Sequence, residues 1–462
     1  MSNMEGHECR LASDEFTCVY GAELGCAVIR IPGCAEASCI SLLLAAQAAG
    51  ASRVYGVQKC AQVLDVVGVL DALGISVAHE NGCYVVEGVG VGGLAEPHRE
   101  ICVGYSPLVA CMTIGMLAVH PFSTFLFRGR NYRISPDIAV YGDNDVSMVM
   151  EMLTSMGARF MSNGAAFPAL IIGTDECVPA AFDGVIPSDA VKSAMLLSCI
   201  GVGGKSNIRA KSALSGYTEL LLKQLGARIC VERRTDCGAD TIVIDGQQEL
   251  VAGEICVPAP ASEALHAVAA AVMTRGLPVL VSGILVDDAV RGVLNVFIKM
   301  GAYVALVPNR GLYDAKIRVG VLRGARIECA ELRSIAMELP AICAVCACAV
   351  GATTITGLST LGDSARDRLD TAATGLAKCG VELSMGDDSL IIHGCGDEVA
   401  AGRGNDKAAI SGMAARIATS VGGHASHGLV KFVEMLSNFR EENPSVVLLR
   451  GTPATKKVLK SC

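Results

Sequence analysis

The chain has 462 residues, 52% of them apolar and 18% charged, with 51 Gly, no Trp and a net charge of -8. That is enough material for two or three domains with cores of Ala, Val, Leu and Ile, and the acidic balance excludes a basic nucleic-acid surface. "MSNMEGHECR" carries no secretory signal pattern, and apolar runs such as Ala341–Val350 fall short of the ~18 residues of a membrane span, so a cytoplasmic protein without nucleic-acid or membrane partners is expected.

The first long apolar run, "IPGCAEASCISLLLAAQAAG" (31–50), reads as a Pro-Gly turn feeding a helix. A helix start of this kind suits an anion, because its free N–H groups point outward. Yet the turn holds no Lys or Arg, its first hydroxyl is Ser38, and its only charge is Glu36.

Further along, one phrase recurs: "VLDALGISVAHENGCYVVEGV" ending at Val89, "MLTSMGARFMSNGAAFPALIIG" at Gly173, "LLKQLGARICVERRTDCGADTIVIDG" at Gly246, "FIKMGAYVALVPNRGLYDAKIRVG" at Gly320 and "LAKCGVELSMGDDSLIIHG" at Gly394. Each predicts a helix closed by a glycine (Gly74, Gly157, Gly226, Gly301, Gly380), then two strands around a turn. An Ala-rich helix and a β-branched strand precede most copies, as in "LLSCIGVGGKSNIRA" and "CAVGATTITGL". The repeat is therefore strand–helix–strand–helix–strand–strand, with a weaker sixth copy over about 404–440.

Two glycine-rich stretches mimic nucleotide motifs. "GVGVGG" (88–93) is followed by "LAEPHRE" and not by a helix start, and "GVGGKS" (201–206) leads into a predicted strand, so both read as loops. The 21 cysteines lie mostly in apolar runs, and "CAVCACAV" (343–350) has no second Cys pair or His partners nearby. Reduced, buried thiols and no metal are expected. Ser188 in "PSDAVKS" reads first as an N-cap, Glu338 ahead of Pro340 as a helix-start acid, and Asp367–Arg368 equally as a salt-bridged helix face or a site. His424 and His427 in "HASH" read as loop imidazoles, and 444–462 as a basic tail.

The order and spacing of several strings resemble the EPSP synthase family of enolpyruvyl transferases over about Arg30 to Arg440. "IPSDAVKSAMLL" is similar to its Ser-Ser/Ala-Gln-x-Lys-Ser-Ala-Leu helix, "SGYTELLLKQLGA" to its Ser-Arg-Asp-His-Thr-Glu helix, "MELPAICAVCACAVGATTITGL" to its Asp-Glu-x-Pro helix, and "SARDRLDTAATGLAKCGVELSMGDDSLIIHG" to its Lys-Glu-Ser-Asp-Arg segment. The resemblance implies an α/β (α+β) fold of two similar lobes, each of three βαβαββ units in an inside-out barrel. One domain would join 1–32 to 257–443, and the other would span 33–256. It also implies a monomer, with no cofactor and no metal. The family reaction is enolpyruvyl transfer from phosphoenolpyruvate to the 5-hydroxyl of shikimate-3-phosphate, with the substrate held as the two lobes close.

Carried over residue by residue, the resemblance assigns substrate binding to Ser38, Arg133, Ser188, Lys192, Asp367 and Arg368, and catalysis to Glu338. Other positions depart from the motifs. The first-turn Lys is Ala35, and Glu36 and Ile40 replace its Ser and Arg; further on, Cys111 and Ser135 replace Arg, Ala190 replaces Gln, Ser215 and Gly216 replace Arg-Asp, and Met337 and Ser364-Ala365 replace acid–base residues. "NDK" (405–407) stands for Asp-His-Arg, and Arg128, Arg130 and Arg133 are the nearest substitute cations. Each charge-assisted hydrogen bond contributes about 1.5–3 kcal/mol, against about 8 kcal/mol for micromolar affinity in total. Losing about five predicts no measurable binding of either substrate. A second function therefore stands beside the family reaction: a catalytically inactive binding or scaffold protein on the same fold.

Overall fold

In the computed structural model the described residues are 8–10, 17–21, 26–128, 143–162, 167–233, 238–274, 278–330 and 338–396, with Leu429, Val433 and Leu436. The chain divides into two compact units: Gly33–Pro258, and Met1–Pro32 joined to Ala259–Cys462. Arg130, Arg133, Met337, Lys407, His424, His427 and the 444–462 tail lie outside the described residues, as does most of the sixth repeat.

In chain order, the discontinuous unit opens with β1 (Glu8–Arg10), β2 (Thr17–Gly21) and β3 (Cys26–Arg30), an antiparallel meander. The continuous unit then begins with α1 (Ala35–Ala46), β4 (Ala48–Tyr55), α2 (Ala61–Ala72), β5 (Val77–Glu80) and β6 (Cys83–Val89). Its second repeat is β7 (Ile101–Cys102), α3 (Pro107–Leu117), β8 (Ser123–Phe127), α4 (Asp143–Ser155), β9 (Arg159–Ser162) and β10 (Ala169–Ile172). The third is β11 (Ala181–Ile186), α5 (Asp189–Gly201), β12 (Lys205–Lys211), α6 (Tyr217–Gln224), β13 (Ile229–Glu232) and β14 (Ala239–Asp245). Two short strands, β15 (Leu250–Val251) and β16 (Glu254–Cys256), return to pair in parallel with β4 and complete the first repeat's sheet.

Back in the discontinuous unit, α7 (Ala261–Met273), β17 (Val279–Ile284), α8 (Asp288–Lys299), β18 (Ala302–Asn309) and β19 (Leu312–Val319) form a fourth copy, with β3 as its first strand. The fifth is β20 (Arg326–Glu328), α9 (Leu339–Ala347), β21 (Val350–Thr356), α10 (Asp363–Lys378), β22 (Glu382–Met385) and β23 (Ser389–Cys395). Every sheet repeats one order: a first strand parallel to the second, then the last strand, then the penultimate one at the edge. The parallel pair requires a helical crossover, and the closing hairpin does not. The sheets are open, and none closes into a barrel among the described residues.

Composition decides which helix goes inside. The first helix of each repeat is largely apolar, and all of α9 and all of α3 except Pro107 are buried. Such helices belong in a core. The second helices are amphipathic: α8 buries Val290, Val293, Leu294, Val296 and Phe297 and places Asp288 and Lys299 at its ends. With so few aromatics the core is filled by Ala, Val, Leu, Ile and Cys, and of the 17 cysteines whose side chains are described only Cys230 is exposed and none is in a disulfide.

All five predicted cap glycines take left-handed backbone angles, φ 75 to 117° at Gly74, Gly157, Gly226, Gly301 and Gly380, a conformation that strains any residue with a side chain. A second glycine position recurs at the far end of the repeat. At Gly88, Gly173, Gly246 and Gly394 an added Cβ would overlap backbone carbonyl oxygens at the end of that repeat's first helix. No helix among the described residues is long and apolar enough to cross a membrane.

Candidate functional site

In the continuous unit the first turn is tied down from both sides. Gly33 N–H donates to Gly56 O (2.9 Å) and Cys34 N–H to Pro258 O (2.8 Å). Ser38, wholly buried, donates from Oγ to Cys34 O (2.8 Å) and accepts from Gln58 N–H (3.0 Å). Its hydroxyl therefore fastens the turn to the neighbouring loop and leaves no hydrogen for an outside ligand. Cys34 occupies the N-cap of α1 without a side-chain cap bond. Its thiol donates instead to Glu36 Oε2 at 2.6 Å. Burial first, and the Glu36 carboxylate second, push that thiol up to about 12. Glu36 thus places a fixed negative charge in the first turn of α1, where the helix dipole favours an anion. An incoming phosphate would meet a carboxylate already there.

At α5 the structure separates two roles that the sequence left open. Ser188 caps the helix, accepting from Val191 N–H (3.3 Å), and donates to Asp145 Oδ2 (2.8 Å). Lys192, one turn on, is only 2% exposed. Its ammonium lies 2.9 Å from Glu219 Oε1 and 3.4 Å from Asp189 Oδ1, and donates to the Ser215 carbonyl. Two carboxylates neutralise this cation within the fold. Burial, opposed by Lys192, raises the Asp189 carboxyl above its ordinary value. Beside them Ser193 and Thr218 share a hydrogen bond of 2.8 Å. Tyr217 reaches Ser41 on α1 (2.7 Å), and burial raises its phenol. The "SGYTE" string and the α5 helix therefore pack as one polar seam inside an apolar unit.

The discontinuous unit holds Glu338, Asp367 and Arg368. Asp367 is exposed on α10, and its carbonyl accepts from Thr371 Oγ1 (2.8 Å). Arg368 is half-buried and makes no ion pair among the described residues. Glu338 stands at the N-cap of α9 but makes no side-chain cap bond, so the capping role expected for it is not the one it has. Its Oε2 lies 2.8 Å from Nε2 of His266 on α7, with the side chains 12% and 6% exposed. The contact is at ion-pair distance but lacks hydrogen-bond alignment, and neither atom nor His266 Nδ1 has another partner among the described residues. His266 was missed by the sequence reading, although a lone imidazole inside "ALHAVAAAV" was a visible signal. Glu219 was missed as the partner of Lys192 because the two are 27 positions apart in sequence.

Elsewhere, Arg128 lies over the Phe167 ring, 5.1 Å from its centroid. Lys205 and Ser206 begin β12, and Gly88 to Gly93 end β6 and enter a turn, so neither glycine-rich stretch opens a helix. Among the described residues no group of three or more His, Cys, Asp or Glu is arranged to hold a metal ion.

Comparisons with known proteins place the chain in one family. The family profile described as EPSP synthase (3-phosphoshikimate 1-carboxyvinyltransferase) matches residues 23–421. The chain belongs to the EPSP synthase family. It is 31% identical over 379 residues to the 3-phosphoshikimate 1-carboxyvinyltransferase of Rhodospirillum rubrum, covering 80% of this chain and 82% of that one. It is 32% identical over 382 residues to the protein of that name from a Ruegeria species, covering 81% and 82%. An EPSP synthase structure from Acinetobacter baumannii superposes with a TM-score of 0.65 at 24% identity, over 80% of this chain and 82% of that one. This last likeness speaks for the EPSP synthase fold alone.

Proposed function

We propose that this protein catalyses the family reaction, enolpyruvyl transfer from phosphoenolpyruvate to the 5-hydroxyl of shikimate-3-phosphate. The observation that carries the reading is membership of the EPSP synthase family through both units, at 31% identity to a curated synthase over 379 residues. In this reading Ser38, Ser188 and Lys192 shape the turn and the α5 helix, because their polar atoms already have internal partners. Arg368, half-buried and without an ion pair among the described residues, is the retained cation for substrate charge, with Asp367 beside it and Arg133 as a further cation. Glu338 is the acid–base group, since its carboxylate does not cap its helix. Phosphate release by the purified protein, freed of host enzyme, tests the reading. Turnover that needs both substrates and falls with Arg368→Ala supports it, and absence of turnover overturns it.

A second reading is favoured by the first turn itself: a protein of this fold that does not catalyse the transfer. Glu36 sits where an anion would bind, and Lys192 is neutralised by Glu219 and Asp189. Calorimetry at millimolar phosphoenolpyruvate and shikimate-3-phosphate separates the two readings. No heat with either ligand, together with no phosphate release, establishes the second.

A further inference from the structure

We infer that His266 and Glu338 form a carboxylate–imidazole couple in which Glu338 takes the hydroxyl proton of the acceptor substrate and His266 positions its carboxylate. The inference rests on the transfer activity proposed above and adds to it a residue that the motifs do not contain.

Three observations carry it. First, the two groups meet at 2.8 Å, Nε2 to Oε2, with side chains 6% and 12% exposed. Burying a carboxylate without a counter-group is costly, and an imidazole at ion-pair distance offsets part of that cost. Second, the couple has no competing use. Glu338 does not cap α9, and His266 has no other partner among the described residues through either ring nitrogen. Third, it is held by two largely buried helices: α7 buries Ala264, Leu265, Ala267 and Val268 around His266, and α9 is buried throughout. A titratable pair set on rigid helices keeps its geometry, as an acid–base group requires.

Chemistry follows from which oxygen is covered. Oε2 is fully buried against the imidazole, so the open 12% of the side chain lies elsewhere, on its other oxygen and stem. With Oε2 set against the ring at 2.8 Å, the second oxygen is the one left to meet substrate. In the step, the acceptor O–H bond breaks and its proton goes to that oxygen. The acceptor oxygen's electron pair, freed from that O–H bond, forms the new C–O bond to the central carbon of phosphoenolpyruvate. The methylene carbon takes up a proton from the medium and returns one when phosphate leaves with its electron pair. Glu338 then gives its proton back to solvent, and the couple ends as it began, with no oxidant or further reactant. Met337 fills the position of the family's acid in this stretch and has no proton to exchange. The couple supplies an ionisable group one residue away.

The test combines kinetics with imidazole ¹⁵N spectroscopy on the full chain. E338Q is expected to lower kcat roughly 10²-fold or more, the usual contribution of one general base. H266L is expected to lower kcat about tenfold or more with little change in KM, and H266Q, which restores an N–H donor, to recover most of it. Packing alone would not separate Leu from Gln in this way. In the unmodified protein Nε2 is expected to carry the hydrogen, and its resonance to move in E338Q. Turnover that survives E338Q and H266L unchanged overturns the couple while the transfer activity stands. A bare Nε2 in the unmodified protein, or a resonance unmoved by E338Q, overturns it even where a variant fails to fold or to turn over. Absence of turnover in the unmodified protein overturns the transfer reading, and the catalytic use of the couple with it.

Discussion

A buried lysine is stable only with its counter-charges, and Lys192 has two of them within 3.4 Å. Removing one side of such a pair leaves an uncompensated buried charge, which costs about 3–5 kcal/mol. Lys192→Met is therefore expected to lower the unfolding free energy read from urea denaturation by that amount, and the double variant Lys192→Met/Glu219→Leu to recover much of it. Equal losses in the single and double variants would show that the ion pair is not the source. Cys34 illustrates the opposite sign of control. Its thiol, held up to about 12 by burial and by Glu36, stays protonated at pH 8, and the thiolate is the reactive form. It is expected to resist iodoacetamide in the native protein at pH 8, read by mass spectrometry, and to label faster in Glu36→Gln. Fast native labelling of Cys34 would contradict the Cys34–Glu36 contact.

A glycine lets α3 approach α5 closely. A Cβ on Gly115 would overlap the carbonyl oxygen of Ala194 on the facing helix, and that backbone cannot swing away as a side chain can. Gly115→Ala is expected to destabilise by roughly 1–3 kcal/mol through overpacking. The same change in α2 should act in reverse. Gly68 lies mid-helix with nothing within 4 Å of an added Cβ, so Gly68→Ala should stabilise by roughly 0.5–1 kcal/mol through helix propensity. Thermal unfolding of the two variants side by side checks both, and the same sign for both would refute the close approach of α3 and α5. Capping follows similar local logic: Ser188 and Asp287 accept from N–H groups of α5 and α8, whereas α1 and α9 start without a side-chain cap. These two uncapped starts carry Glu36 and Glu338, the side chains that turned instead to Cys34 and His266.

Over the whole molecule, the thiols make stability depend on pH on the alkaline side. Burial is the first cause in each case: it raises Cys34 and Cys346 to about 12 and Cys199 and Cys329 to about 11, from an ordinary value of 9.0. A group raised in the fold contributes stability that is complete below its unfolded value and is lost as pH rises through the folded value. Between pH 9 and about 12 the unfolded chain therefore releases protons that the folded chain keeps, and stability falls. The melting temperature is expected to drop steadily from pH 8.5 to 10.5. A flat profile over that range would mean that the thiols ionise as readily in the fold as in the unfolded chain.

What the sequence determined by itself was whatever local geometry dictates. The glycine after each amphipathic helix had to be left-handed, the all-apolar helices had to be buried, and the βαβαββ order followed from alternating periods of 3.6 and 2. Ser188 as an N-cap was legible because its partner N–H lies three residues on. The site was legible only in part, because charge pairing is a long-range property. Nothing within a few residues of Lys192 announces that Glu219 will neutralise it, or that Ser38 will be closed off by Gln58. His266 and Glu338 are 72 positions apart and meet only because α7 and α9 pack in one core. Local sequence selects helix, strand and cap through bonds a few residues long, whereas the state of a buried charge depends on whichever distant atoms the fold brings within about 4 Å of it.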